Sequence, residues 1–94
     1  MKLGGKSNLA ESLLTIKTKK EMEAFLSGVL TQKERDELPK RLQIFAMLKK
    51  GIPQHEIADK VGVGVATVTR GSHELQRGYI QKTSWWKELT PVEG

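Results

Sequence analysis

The chain is predicted to be all-α. Apolar residues recur at three- and four-residue spacing in successive segments, two Thr-x-x-Glu patterns mark helix starts, and no run carries the period-two alternation of a strand. Ninety-four residues make room for one small domain, 1–94. A monomer this short buries little surface and is marginal in stability, so size alone favours a homodimer.

Residues 1–7, MKLGGKS, read as a disordered tail because they offer little to bury. Leu9, Leu13 and Ile16 fall at helical spacing, giving a short amphipathic helix over about 8–16 that needs a partner surface. Thr18 with Glu21 begins a second helix through Met22, Phe25, Leu26 and Val29. Thr31 with Glu34 repeats that start, and Leu38, Leu42, Phe45 and Leu48 mark the apolar stripe of a core helix ending at Lys49, Lys50 and Gly51. Pro39 predicts a kink or a break in it, since proline removes a hydrogen bond and crowds the preceding turn. Residues 8–51 are therefore assigned to the core and to dimerisation.

The run PQHEIADKVGVGVATVTRGSHELQR, residues 53–77, has the spacing of a helix-turn-helix. Pro53 suits the first turn of a helix, Ala58 is the small residue where two helices cross, and Gly62 supplies the turn. Ile57, Val61 and Val63 plug one side. Gly64 caps a second helix that opens at Val65, and Val68 and Leu75 give that helix an apolar edge, with Gly71 and Ser72 as small contact residues. Ala66, Thr69, Arg70, His73 and Arg77 fall on the opposite face, where small, hydroxyl and guanidinium groups suit base edges and phosphates. Beyond Gly78 the pattern fades. Residues 79–94 are read as a tail with a short helix near 84–89, in which Trp85 and Trp86 pack against the body or a second subunit.

A net charge of +5 favours approach to a polyanion. Within residues 53–78, however, Lys60, Arg70 and Arg77 are balanced by Glu56, Asp59 and Glu74. Phosphate attraction must then come from helix N-termini and from lysines such as Lys17, Lys19, Lys20, Lys49 and Lys50. The absence of cysteine excludes disulfides and thiolate metal sites, and two isolated histidines, His55 and His73, give no case for a metal. The N-terminal residues lack the apolar run of a signal peptide or membrane span, so no membrane is expected and cytoplasm is the expected compartment. No paired carboxylates, phosphate loop or activated nucleophile are recognisable, and the chain is not expected to be an enzyme.

At LTQKER (30–35), KRLQI (40–44) and above all GVATVTRGSHEL (64–75), the sequence resembles the tryptophan repressor family. The resemblance covers roughly residues 22–78. It implies an all-helical intertwined homodimer whose two reading heads enter successive major grooves of a double-stranded DNA operator, making the chain a sequence-specific transcriptional repressor. It also implies L-tryptophan as corepressor, bound between the core helix and the second reading helix. Arg41 and Arg70 match the arginines flanking the indole, and Arg70 also pairs with the ligand carboxylate. Leu30 and Thr31 match the loop closing over the amino-acid end, and Thr67 and Gly71 match the pocket wall. A guanidinium can both stack on an aromatic face and hold a carboxylate through parallel hydrogen bonds. No other cofactor is implied.

Glu74 departs from the family, whose tryptophan-responsive members carry a small hydroxyl residue there, near the ligand ammonium. Either Glu74 pairs with that ammonium, or it pairs with Arg70 four residues back and closes an empty pocket. Arg41, on its own helix, has the alternative of bridging Glu37. The connection Gly51-Ile52-Pro53 is one residue shorter than in familiar members. For DNA reading the matching positions are His55, Ala58, Val65, Ala66, Thr67, Thr69 and Arg70, with backbone N–H groups around Gln54 available to phosphate. Familiar members carry arginine and lysine at the positions of His55 and Ala58, which implies a different operator. Two alternatives stay open: a ligand-independent DNA-binding regulator of the same fold, and a helix-turn-helix module that docks a protein.

Overall fold

The computed structural model describes residues 8–89, so the expected tail at 1–7 and the end of the C-terminal segment, 90–94, lie outside the described residues. The described secondary structure is helical, as expected: α1 (Asn8–Leu14), α2 (Lys19–Val29), α3 (Gln32–Lys49), α4 (Gln54–Val61), α5 (Val65–Gln76), a 3₁₀ turn (Ile80–Lys82) and α6 (Ser84–Glu88). By internal contacts the chain divides into two units, Met1–Asp36 and Glu37–Gly94.

In the first unit, α1 ends at Leu14, two residues before the expected Ile16; Thr15 folds its hydroxyl onto the Ser12 carbonyl at 2.7 Å and closes the last turn. Thr18 caps α2 by accepting from the Glu21 N–H at 3.1 Å. At the start of α3 the capping is reciprocal. Thr31 Oγ1 accepts from the Glu34 N–H at 3.2 Å, and Glu34 Oε1 accepts from the Thr31 N–H at 2.8 Å. The Thr31 N–H, and after it the Thr31 hydroxyl, hold the Glu34 carboxyl below the usual carboxylate range. The Arg35 guanidinium completes the corner, reaching the Ser27 carbonyl at 2.7 Å and the Leu30 carbonyl at 3.1 Å, groups that the end of α2 leaves without a helical donor.

The second unit is built on the C-terminal half of α3. Ile44, Ile57, Ala58 and Val68 form its buried cluster, one from α3, two from α4 and one from α5, with Met47, Leu48, Ile52, Val61 and Val63 packed around it. Ile57 and Val68 are wholly enclosed. This corrects the expected α3 stripe. Phe45 is buried and Leu48 half-buried, but Leu38 and Leu42 are exposed, and Ile44, outside the expected stripe, is the most buried residue of the helix. The reason is where the partners sit, since the residues of α3 that meet Ile57, Ala58 and Val68 are Ile44, Met47 and Leu48, toward its C-terminal end. Pro39 does not break the helix either, which runs unbroken from Gln32 to Lys49. Proline withholds one donor, from the Arg35 carbonyl, and the turns on both sides carry the helix past it.

Gly51 and Gly62 end α3 and α4 with φ of 81° and 80°, the left-handed region that favours glycine. At Gly62 the N–H groups of Gly62 and Val63 both reach the Ala58 carbonyl, at 2.9 and 3.1 Å. Pro53 is the N-cap of α4, one position ahead of the expected first turn. Trp85 and Trp86 are half-buried. Lys49, at the end of α3, lies 4.9 Å from the centre of the Trp86 ring and donates to the Trp86 and Leu89 carbonyls, so it anchors α6.

Candidate functional site

The helices α4 and α5, joined by residues 62–64, carry the positions expected to read DNA. Val68 is buried against α4, which fixes the rotation of α5 and leaves Val65, Ala66 and Arg70 exposed and Thr67 and Thr69 half-buried. His55 is exposed and Gln54 half-buried at the start of α4. Ala58 does not belong to this surface. It is 4% exposed, because the carbon that lets α4 and α5 cross closely is enclosed by that crossing, and we withdraw it as a base-reading residue. A position cannot both plug the crossing and face a groove.

Thr69 is tied to α4. Its hydroxyl donates to Gln54 Oε1 at 2.8 Å and lies 3.1 Å from the Val65 carbonyl, where its one proton can serve only one acceptor at a time. The Gln54 amide keeps its NH₂ for an outside acceptor. Sequence reasoning named both residues but not their link, which needs the interhelical angle to be known.

Beside this surface lies a cleft of about 710 Å³ between α3 and α5. Its apolar floor is Ile44, Phe45 and Val63, with Gly71 in the wall. Gly71 is buried, and a Cβ there would come within 2.9 Å of Ile44 Cγ2, so the absence of a side chain lets α5 lie against α3. Lys40, Arg41, Arg70 and Arg77 bring four cations to the lining, against the carboxylates of Glu37 and Glu74. The arrangement can hold an apolar body while offering its rim to an anionic group.

Of the expected ligand residues, Arg41, Thr67, Arg70, Gly71 and Glu74 all line this cleft, while Leu30 and Thr31 belong to the first unit. Arg70 donates to Thr67 Oγ1 at 3.2 Å. The expected alternative in which Glu74 pairs with Arg70 is not formed. Glu74 Oε2 instead accepts from Arg77 Nη1 at 2.9 Å, one turn ahead. Arg77 also stacks over Tyr79, 5.0 Å from the ring centre. The i,i+3 spacing of Glu74 and Arg77 was a legible signal for this pair. Arg41 shows no ion pair among the described residues, so the bridge to Glu37 is not formed. Lys40, Phe45, Val63 and Arg77 are lining residues that sequence reasoning did not assign to a ligand.

Among the described residues no cluster of histidine, cysteine or carboxylate side chains could hold a metal ion, and no helix is long and apolar enough to cross a membrane.

Residues 6–90 match the family described as Trp repressor protein. The chain is similar to a Trp operon repressor homolog of Vibrio atlanticus, 42% identical over 72% of this chain and 70% of that one. It is also similar to one of Actinobacillus succinogenes, 38% identical over 88% of this chain and 83% of the relative. A third, from Pasteurella multocida, is 37% identical over 83% of this chain and 78% of the relative. No solved structure matches the chain significantly.

Proposed function

The chain belongs to the Trp repressor protein family, and from that premise we propose that it is a sequence-specific DNA-binding transcriptional repressor, acting as a homodimer, whose affinity for its operator rises when L-tryptophan fills the cleft between α3 and α5. The observation that carries this reading is the placement of α5. One side of the helix is locked to α4 through Val68, the opposite side presents Val65, Ala66, Thr69 and Arg70, and its flank forms a wall of the cleft. A ligand wedged there touches the reading helix directly.

In this reading Arg70 and Thr69 face the major groove with His55, Val65, Ala66 and Thr67 beside them, and the N–H groups around Gln54 meet phosphate. Arg41 and Arg70 hold the indole and carboxylate of the ligand, and Gly71 admits the ring. The dimer is supported by the apolar residues that the single chain leaves exposed, among them Leu38 at 38% and Leu42 at 42%. No catalytic chemistry is assigned, and the cytoplasm is the compartment where such a regulator meets DNA.

Ligand and operator must strengthen each other's binding by the same factor. The test is a gel shift on the upstream region of its own gene, with and without saturating L-tryptophan, repeated with Arg70→Ala. The expected result is tighter binding with ligand, lost in the variant. Equal shifts with and without L-tryptophan would remove the corepressor and leave a ligand-independent regulator. Binding to duplex DNA that did not weaken with added salt would remove phosphate recognition and favour a protein-docking module.

A further inference from the structure

The C-terminal end of α5 and the turn after it add positive charge to a helix-turn-helix whose charges otherwise balance. Between Glu74 and Glu88 the chain carries Arg77, Lys82 and Lys87 and no carboxylate. Two of these cations converge on one ring. The Arg77 guanidinium lies 5.0 Å and the Lys82 ammonium 5.8 Å from the centre of the Tyr79 ring, and Tyr79 is itself 65% exposed. The turn that carries them is tied to the helix: Gly78 takes a φ of 80°, and Gln81 Nε2 donates to the Leu75 carbonyl at 2.6 Å, holding Ile80–Lys82 against the end of α5. We propose that Arg77, Tyr79 and Lys82 form a contact site for the phosphate backbone of the duplex, outside the groove that the first turn of α5 enters. The proposal rests on the DNA-binding reading above.

Length places the cluster. Ala66, Arg70, His73 and Arg77 share one stripe of α5, and at 1.5 Å per residue the stretch from Ala66 to Arg77 spans about 16 Å. The major groove is about 12 Å wide and 8.5 Å deep. A helix whose first turn meets base edges therefore carries its last turn to the rim or beyond it, whether it lies across the groove or points into it, and phosphates line that rim. Arg77 gives one N–H to Glu74 and keeps its other donors for an outside acceptor. Lys82 is exposed and forms no ion pair among the described residues, so the cluster retains its charge. The ring holds both cations near one place before a phosphate arrives, and less side-chain freedom is lost on contact.

Gel shifts on the full chain over about 50–200 mM salt test this, with the duplex upstream of its own gene and with an unrelated duplex. Lys82→Gln should weaken both by the same factor and make the fall of log affinity with log salt shallower by about one per chain, or about two for a homodimer on two half-sites. Lys87→Gln removes the same charge outside the cluster and should leave the slope unaltered. Tyr79→Phe should bind as the wild type does, because the face of the ring holds the cations, whereas Tyr79→Ala should weaken binding to both duplexes. Cations that served only the dipole of α5 would lower the melting temperature of Lys82→Gln without moving its salt slope. An unaltered slope in Lys82→Gln, an equal change in Lys87→Gln, or wild-type binding by Tyr79→Ala overturns the proposal while the base-reading surface stands. A wild-type chain that binds neither duplex overturns the DNA-binding reading, and this site with it.

Discussion

Thr69 on α5 donates its hydroxyl to Gln54 Oε1 at the start of α4, 2.8 Å away, linking α5 to the N-terminus of α4. The link spans the helix crossing on its outer side, while Ile57, Ala58 and Val68 hold the inner side. Together they fix the rotation of α5.

Thr69→Ala removes one hydrogen bond and frees the Gln54 side chain. Specific operator binding should weaken about fivefold, the equivalent of about 1 kcal/mol, while binding to unrelated duplex changes little. Circular dichroism should be unaltered. Gel shifts on both duplexes check this, and equal losses on the two would remove Thr69 from sequence reading.

Gly71→Ala sets two effects against each other. Alanine favours a helix interior by about 1 kcal/mol, but its Cβ would lie 2.9 Å from Ile44 Cγ2, and overpacking of that kind costs about 1–3 kcal/mol. The net expectation is a loss of stability, read as a lower urea midpoint at unchanged slope. Adding Ile44→Leu, which removes the branch in question, should recover part of it. A stabilised Gly71→Ala chain would show that α3 and α5 lie further apart than described.

Glu34 links stability to pH. Its folded carboxyl titrates below its ordinary value because it accepts from the Thr31 N–H and hydroxyl, so its contribution is present above the ordinary carboxylate range and is lost as pH falls through the lowered folded value. Glu34→Gln should melt at a lower temperature near neutral pH, and the difference should shrink as the pH falls into the acid range. Melting curves at several pH values decide it; a constant difference would mean that the charge plays no part.

Lys49→Met keeps the aliphatic stem but loses the contact with the Trp86 ring and the donors to the Trp86 and Leu89 carbonyls. The expected effect is loosening of α6, worth about 1 kcal/mol, with tryptophan emission shifted to the red. Unchanged emission would show that α6 is held by other contacts.

The helix boundaries were legible because their causes are local. Thr18 and Thr31 cap within their own turn, Gly62 takes a backbone conformation that few other residues tolerate, and Pro53 stands where its missing donor costs nothing. The end of α1 at Leu14 was missed, because Leu13 and Ile16 continue the apolar spacing beyond the point where Thr15 turns the chain.

What the amino-acid order determined on its own is the set of helices, the helix-turn-helix spacing and the residue types gathered on each face of α5, all consequences of interactions within a few residues. Only the tertiary structure decided that Ala58 is enclosed, that Leu38 and Leu42 stay outside the core while Ile44 enters it, and that Glu74 turns to Arg77 and away from Arg70. Periodicity tells which residues share a face. Which part of that face finds a partner depends on where the next helix lands, and for charged side chains of equal reach the choice falls to the geometry of neighbours brought together by the fold.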